Sequence, residues 1–106
     1  MSSELSELQK WYAAQCDGDW EHQQGVEIGT LDNPGWRVEI DLADTSLEGI
    51  EFRAVKENYE HETEWLSCWI AENKFQAAGG PQQLTRMIRL FLDWAAAHPS
   101  SGEDAV

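Results

Sequence analysis

The densest group of chemically capable side chains is Cys16-Asp17-Gly18-Asp19-Trp20-Glu21-His22. Alternating Asp17, Asp19 and Glu21 invite comparison with a calcium loop. With Asp17 as the first position, the sixth should be Gly and is His22, and the twelfth should be Glu and is Ile28. A zinc site from Cys16, His22, His61 and Cys68 lacks the short paired spacings of structural zinc ligands. His61-Glu62-Thr63-Glu64-Trp65 lacks the second His of the metalloprotease helix motif. No metal and no cofactor is therefore expected. A structural use of the cluster needs fewer coincidences: carboxylates in a short loop after a helix can cap backbone amides and anchor Trp20 in the core.

Nucleophilic chemistry fares no better. The chain has no Gly-rich phosphate loop, no Gly-x-Ser-x-Gly and no Cys-x-x-Cys. Cys16 is followed by acids, which disfavour a thiolate, and Cys68 lies between Ser67 and Trp69 in a strand-like run. Both cysteines are expected to be reduced, with Cys68 buried. Twenty acids leave room for paired-carboxylate hydrolysis, but nothing singles out a pair. A small hydrolase or sulfurtransferase-like enzyme built on Asp17–His22 stands as the alternative reading, and a structural adaptor as a third.

The elements that must position these residues follow from periodicity. Leu5, Leu8, Trp11 and Tyr12 recur at helical spacing, which predicts a helix over 4–15 with Ser2 or Ser3 as cap and Asp17-Gly18 as stop. Val26 and Ile28, then Trp36, Val38, Ile40 and Leu42, alternate with polar residues and predict a hairpin of strands 25–31 and 36–42. Pro34-Gly35 suits the centre of a type II turn between them. A third strand is expected over 50–56, with Ile50 and Phe52 on one face and Glu51 and Arg53 on the other. A fourth is expected over 65–71, and a short fifth extended piece through Lys74-Phe75-Gln76. Leu84, Met87, Ile88, Phe91, Leu92 and Ala95 predict a second helix over 81–97, with Pro81 in its first turn. The sum is an α+β fold: two layers, an antiparallel four- to five-stranded sheet, and the N-terminal and C-terminal helices packed on its one apolar face. The expected domain is 1–98, followed by a disordered tail at 99–106.

Charge bounds the partners. Twenty acids against seven bases give −13, and residues 16–64 hold fourteen of those acids against three bases, net −11. Such a chain repels nucleic acid and anionic membrane and is complementary to basic proteins. No apolar run approaches the roughly eighteen residues of a membrane span. The N-terminal residues have no signal-peptide pattern, so the expected compartment is the cytoplasm. Trp11, Trp20, Trp36 and Trp94 fit the helix-facing core. Trp65 and Trp69 point to the opposite face if Leu66, Cys68 and Ile70 face the helices. There they would join Glu39, Asp41 and Glu51, together with Arg37 and Arg53, as a Trp pair ringed by charge, the composition of a binding hot spot. The competing reading has them covering each other or packing under the 57–64 turn. Asp17, Asp19 and Glu21 form a second candidate patch.

Several runs resemble the immunity protein 53 family of bacterial polymorphic toxin systems. They are Leu8-Gln9-Lys10-Trp11-Tyr12, Cys16-Asp17-Gly18-Asp19-Trp20-Glu21-His22, and Gly25 through Trp36 with its Leu31-Asp32-Asn33-Pro34-Gly35-Trp36 end. Asn73-Lys74-Phe75 and Ala78-Gly79-Gly80-Pro81, leading to Phe91 and Trp94, extend the likeness. It covers about residues 5–97. The resemblance implies a small cytoplasmic antidote, not an enzyme, whose partner is the toxin domain encoded beside it. Nuclease toxins bind a polyanion through basic clefts, so a basic, nuclease-like toxin suits a chain of −13. The expected oligomeric state is a monomer or weak homodimer.

Overall fold

A computed structural model describes residues 3–58 and 60–98. Helix α1 spans Glu4–Gln15 and begins where Ser3 Oγ accepts the Ser6 amide at 3.1 Å. A single helical turn, α2 (Trp20–Gln23), was not foreseen in the periodicity. Strands β1 (Val26–Leu31), β2 (Gly35–Asp41), β3 (Val55–Glu57), β4 (Leu66–Ala71) and β5 (Lys74–Gly79) precede helix α3 (Leu84–Ala97). The tail expected at 99–106 lies outside the described residues.

All strand pairs are antiparallel and the order is β1-β2-β5-β4-β3. Alternation sorts the faces. Val38, Ile40, Phe75, Ala77, Leu66 and Cys68 are buried on one side, against Met87, Ile88 and Phe91 of α3 and Leu8 of α1. Both helices thus lie on the same sheet face, as the alternation predicts. Arg89 ties them together: its Nη2 is 2.8 Å from Glu7 Oε1 and its Nε 3.6 Å from Glu4 Oε2. A run of edge-to-face and tilted rings crosses the layers, Trp11–Phe91 at 4.9 Å, Phe91–Phe75 at 5.1 Å and Phe75–Phe52 at 5.4 Å.

Several expected boundaries are corrected. The turn between β1 and β2 is Asp32-Asn33-Pro34, because Gly35 pairs with Leu31 inside the ladder and has no positive φ. Gly35 is required there for closeness: a Cβ would collide with the carbonyl of Gly79. The third strand is only Val55–Glu57. Residues 50–54 belong instead to a connector from 42 to 54 that buries Leu47 and packs Phe52 on Phe75 and Trp94. The fifth strand is longer than the expected piece and is central to the sheet. Glu72 and Asn73, both at positive φ (56° and 60°), make the two-residue turn that enters it from β4. Helix α3 starts at Leu84, and Pro81 precedes it; the Pro81 carbonyl accepts the Trp36 indole N–H at 2.9 Å.

Candidate functional site

The sheet face away from the helices is lined, row by row, by the residues opposite the core positions. The ladders place Trp69, Gln76, Glu39 and Glu27 in one row across β4, β5, β2 and β1. The next rows are Ser67, Ala78, Arg37 and Gly29 on one side, and Ala71, Lys74 and Asp41 on the other. Trp65, just before β4, has the same facing by strand alternation and its carbonyl accepts the Gly80 amide at 3.0 Å. Trp65 and Trp69 stand four residues apart with Ser67 between, a spacing of about 13 Å along an extended chain. Both are half-buried.

The acids of this face have local partners. Arg37 Nη1 lies 3.5 Å from Glu39 Oε2 and 3.9 Å from Glu27 Oε1. Lys74 Nζ lies 3.8 Å from Asp41 Oδ1, while Asp41 Oδ2 accepts the Gly25 amide at 2.8 Å. The excess negative charge therefore stands mainly in the flanking loops, where Asp17, Asp19, Asp44, Glu60, Glu62 and Glu64 are found. Lys74, Gln76 and Glu27 were missed as members of the face. For Lys74 and Gln76 the signal is Glu72-Asn73 as a hairpin turn, which makes 74–79 a full strand; for Glu27 it is the alternation with Val26 and Ile28 in the predicted first strand.

Glu51 leaves the group. It lies in the connector, not on a strand, and its carbonyl accepts the indole N–H of Trp94 from α3 at 3.1 Å. Its neighbour Phe52 inserts on the helix side of the sheet. Arg53, in the same connector, leaves with it. Strand propensity over 50–54 is overridden by the aromatic contacts that Phe52 gains.

The Asp17 loop is a local cap. Asp17 Oδ1 accepts the amides of Asp19 and Trp20, both at 2.9 Å, and Glu21 reaches back to the amides of Asp17 and Gly18, both at 3.0 Å. This is the reciprocal logic of a capping box, with Gly18 at φ 98° allowing the bend. Trp20, thus delivered, is buried, donates to the Ala43 carbonyl at 2.8 Å and meets Trp11 and Tyr12 edge-on. The side chains of Asp17 and Glu21 are engaged by backbone amides, and Asp19 is left facing outward beside His22 and Asp44. The ridge His22–Gln24 borders this patch on one side and Glu27, Glu39, Asp41 and Lys74 on the other, so the two candidate patches adjoin.

The hydrogen bonds have a pH signature. The Trp20 amide, then that of Asp19, holds the Asp17 carboxyl below its ordinary value of 3.8. Amide donors, its own first, do the same for Glu21 relative to 4.5. A depressed folded-state pKa contributes stability that is present above the unfolded value and is lost as pH falls through the folded one. Asp17→Ala should therefore lower Tm at neutral pH, and the gap to wild type should close as pH drops below about 4. Thermal melts across that range read this directly; a gap that stays constant with pH would mean that the loop does not hold Asp17 as an ionised cap.

His61 has a comparable local use: its Nδ1 accepts the amides of Thr63 and Glu64 at 3.2 and 3.1 Å. Both cysteines are free thiols; Cys68 is fully buried and burial pushes its pKa up to about 12. Among the described residues no group of three or more His, Cys, Asp or Glu side chains is placed to hold a metal ion, and no helix is long and apolar enough to cross a membrane. A family model described as immunity protein 53 matches residues 5–96. Comparison with curated proteins and with solved structures gave no match.

Proposed function

The chain belongs to the immunity protein 53 family, and from that premise we propose that it neutralises a basic, nuclease-like toxin domain by docking it on the open face of the sheet. As an immunity protein of a polymorphic toxin system it binds a cognate toxin and is not an enzyme. The finer reading is carried by one observation: both helices pack on one sheet face, and the other presents Trp69 within a row of polar and charged side chains. Acids in the flanking loops supply a long-range field, and the face supplies contact. The toxin is met in the cytoplasm, and the inhibited cleft is one that would otherwise hold nucleic acid. Asp17 and Glu21, spent on backbone amides, favour this over hydrolysis by the Asp17–His22 cluster.

Charges near a docking surface act mostly on encounter rate. Glu39→Lys combined with Asp41→Lys turns two acids into two bases beside Arg37 and Lys74. Association with the toxin encoded by the adjacent gene should slow by roughly tenfold or more and show a weaker salt dependence. Stopped-flow association at two ionic strengths reads it. Unchanged rate and salt slope, in a variant that melts like wild type, would remove the open face from the docking route.

A further inference from the structure

Strand β1 is an edge of the sheet, and it is long enough to pair. It runs six residues with no Lys, no Pro and no bulge, and its one charged side chain, Glu27, stands on the open face of the sheet and not on the apolar side. The opposite edge, β3, has only three residues. The Gly25 carbonyl accepts the Asp41 amide at 3.0 Å, which sets the alternation of the antiparallel ladder. Gly25, Glu27, Gly29 and Leu31 turn their backbone groups toward β2, while Val26, Ile28 and Thr30 turn theirs outward.

Apolar surface collects along the same edge. The described residues include three large exposed hydrophobics, Leu5 at 52%, Tyr12 at 37% and Ile28 at 38%. Tyr12 lines one groove with Leu8, Gln9 and Val26. Leu5 continues that stripe of α1 at helical spacing, and Ile28 continues that face of β1 two residues beyond Val26.

We propose that β1 pairs with β1 of a second copy of this chain, antiparallel about a two-fold axis at Ile28, joining two sheets into one. This register is self-complementary. Ile28 faces Ile28, and Val26 faces Thr30, so each outward amide and carbonyl of Val26, Ile28 and Thr30 meets a partner. Faces are preserved, which brings the two Val26–Ile28 edges together on the helix side, with Tyr12 beside each Val26. On the open side Glu27 of one copy falls opposite Gly29 of the other. Arg37 already lies over Gly29, its Nη2 3.0 Å from where a Cβ would stand. Glu27, 74% exposed at its side chain, is thereby delivered to a guanidinium across the axis, twice by symmetry. A second copy meets this edge with alternating apolar contact, backbone pairing and opposite charge. The net −13 of each chain opposes the pairing, so added salt should strengthen it. The open face stays free, and the pairing does not depend on how the toxin is held.

Sedimentation equilibrium of the full chain, without toxin, tests the proposal at rising protein concentration and at two salt concentrations. A monomer–dimer equilibrium that tightens with salt is expected. Ile28→Pro removes an N–H that β2 does not use, a substitution that edge strands tolerate. It should raise the dissociation constant by roughly tenfold or more, because the central contact of the interface is lost. Amide exchange of the wild type keeps the test decisive if that variant misfolds: Val26, Ile28 and Thr30 should gain protection with concentration, while Glu27 and Gly29 should not change. A chain monomeric at every concentration, a dimer indifferent to Ile28→Pro, or concentration-independent exchange at those three amides would overturn the pairing.

Discussion

Phe75→Ala is expected to lower the stability of the folded chain by about 3–5 kcal/mol, the range for deleting a buried aromatic ring. Phe75 is fully buried in the central strand β5, with Phe91 at 5.1 Å on the helix side and Phe52 at 5.4 Å from the connector. Three elements therefore lose packing at once, and the fixed strands on either side of β5 leave little room to collapse into the void. Domains of this size have about 5–15 kcal/mol in total, so a variant at the lower end of that range would be substantially unfolded at the temperature of growth. Protection against the toxin should fall with it, without any change at the proposed docking face. Urea unfolding followed by Trp fluorescence gives the number. A loss below about 1 kcal/mol, far under the usual cost of such a cavity, would mean that α3 and the connector do not close on the sheet through this ring.

Phe75 lies in the strand that apolar spacing marks least. Helix α1, the β1–β2 hairpin and the body of α3 follow directly from apolar spacing, because each buries one face and exposes the other. Strand β5 does not announce itself. Its second half, Ala77-Ala78-Gly79, carries small residues with weak strand preference. Gly79 and the following Gly80 are small for packing reasons: a Cβ on Gly79 would lie 3.1 Å from the Trp65 carbonyl and 3.3 Å from the Met87 sulfur, and one on Gly80 would collide with the backbone of Thr63. Close approach, not alternation, selects these residues, and it is invisible without the neighbours. Residues 50–54 fail in the opposite way. They alternate like a strand, but Phe52 gains more by entering the aromatic cluster than the segment would by pairing at the edge. Glu51 belongs to the open face only if 50–54 is a strand, and it leaves that face with the strand.

The candidate site shows the same division. Glu39, Asp41 and Trp69 lie where alternation puts them, since strict period-two placement needs only the right strand and the right core face. Asp17 and Glu21 stand out in the sequence as a dense acidic cluster, yet both carboxylates are absorbed by amides within four residues. Density of acids says little about free valence. What distinguishes an available carboxylate from a capping one is the direction of nearby N–H groups, and that is fixed by the turn.

Truncating Trp69 to Ala should act on dissociation of the toxin complex where charge reversal acts on association. Trp69 is half-buried on the open face, opposite Gln76 and in line with Glu39. A Trp at the centre of a docking surface typically costs about 2 kcal/mol or more on removal, equivalent to roughly thirtyfold in affinity, expressed mainly in the off-rate. The stability cost should be smaller than for Phe75, because no helix covers this ring. The two substitutions thus separate folding from recognition: Phe75→Ala loses protection through unfolding, and Trp69→Ala loses it while the urea midpoint stays near wild type. Biosensor dissociation of the purified pair, beside urea melts of the same variants, distinguishes them. If Trp69→Ala dissociates like wild type while replacement of Asp19, on the far side of the His22–Gln24 ridge, abolishes protection, the toxin is held by the loop after α1 and the open sheet face is not its docking surface.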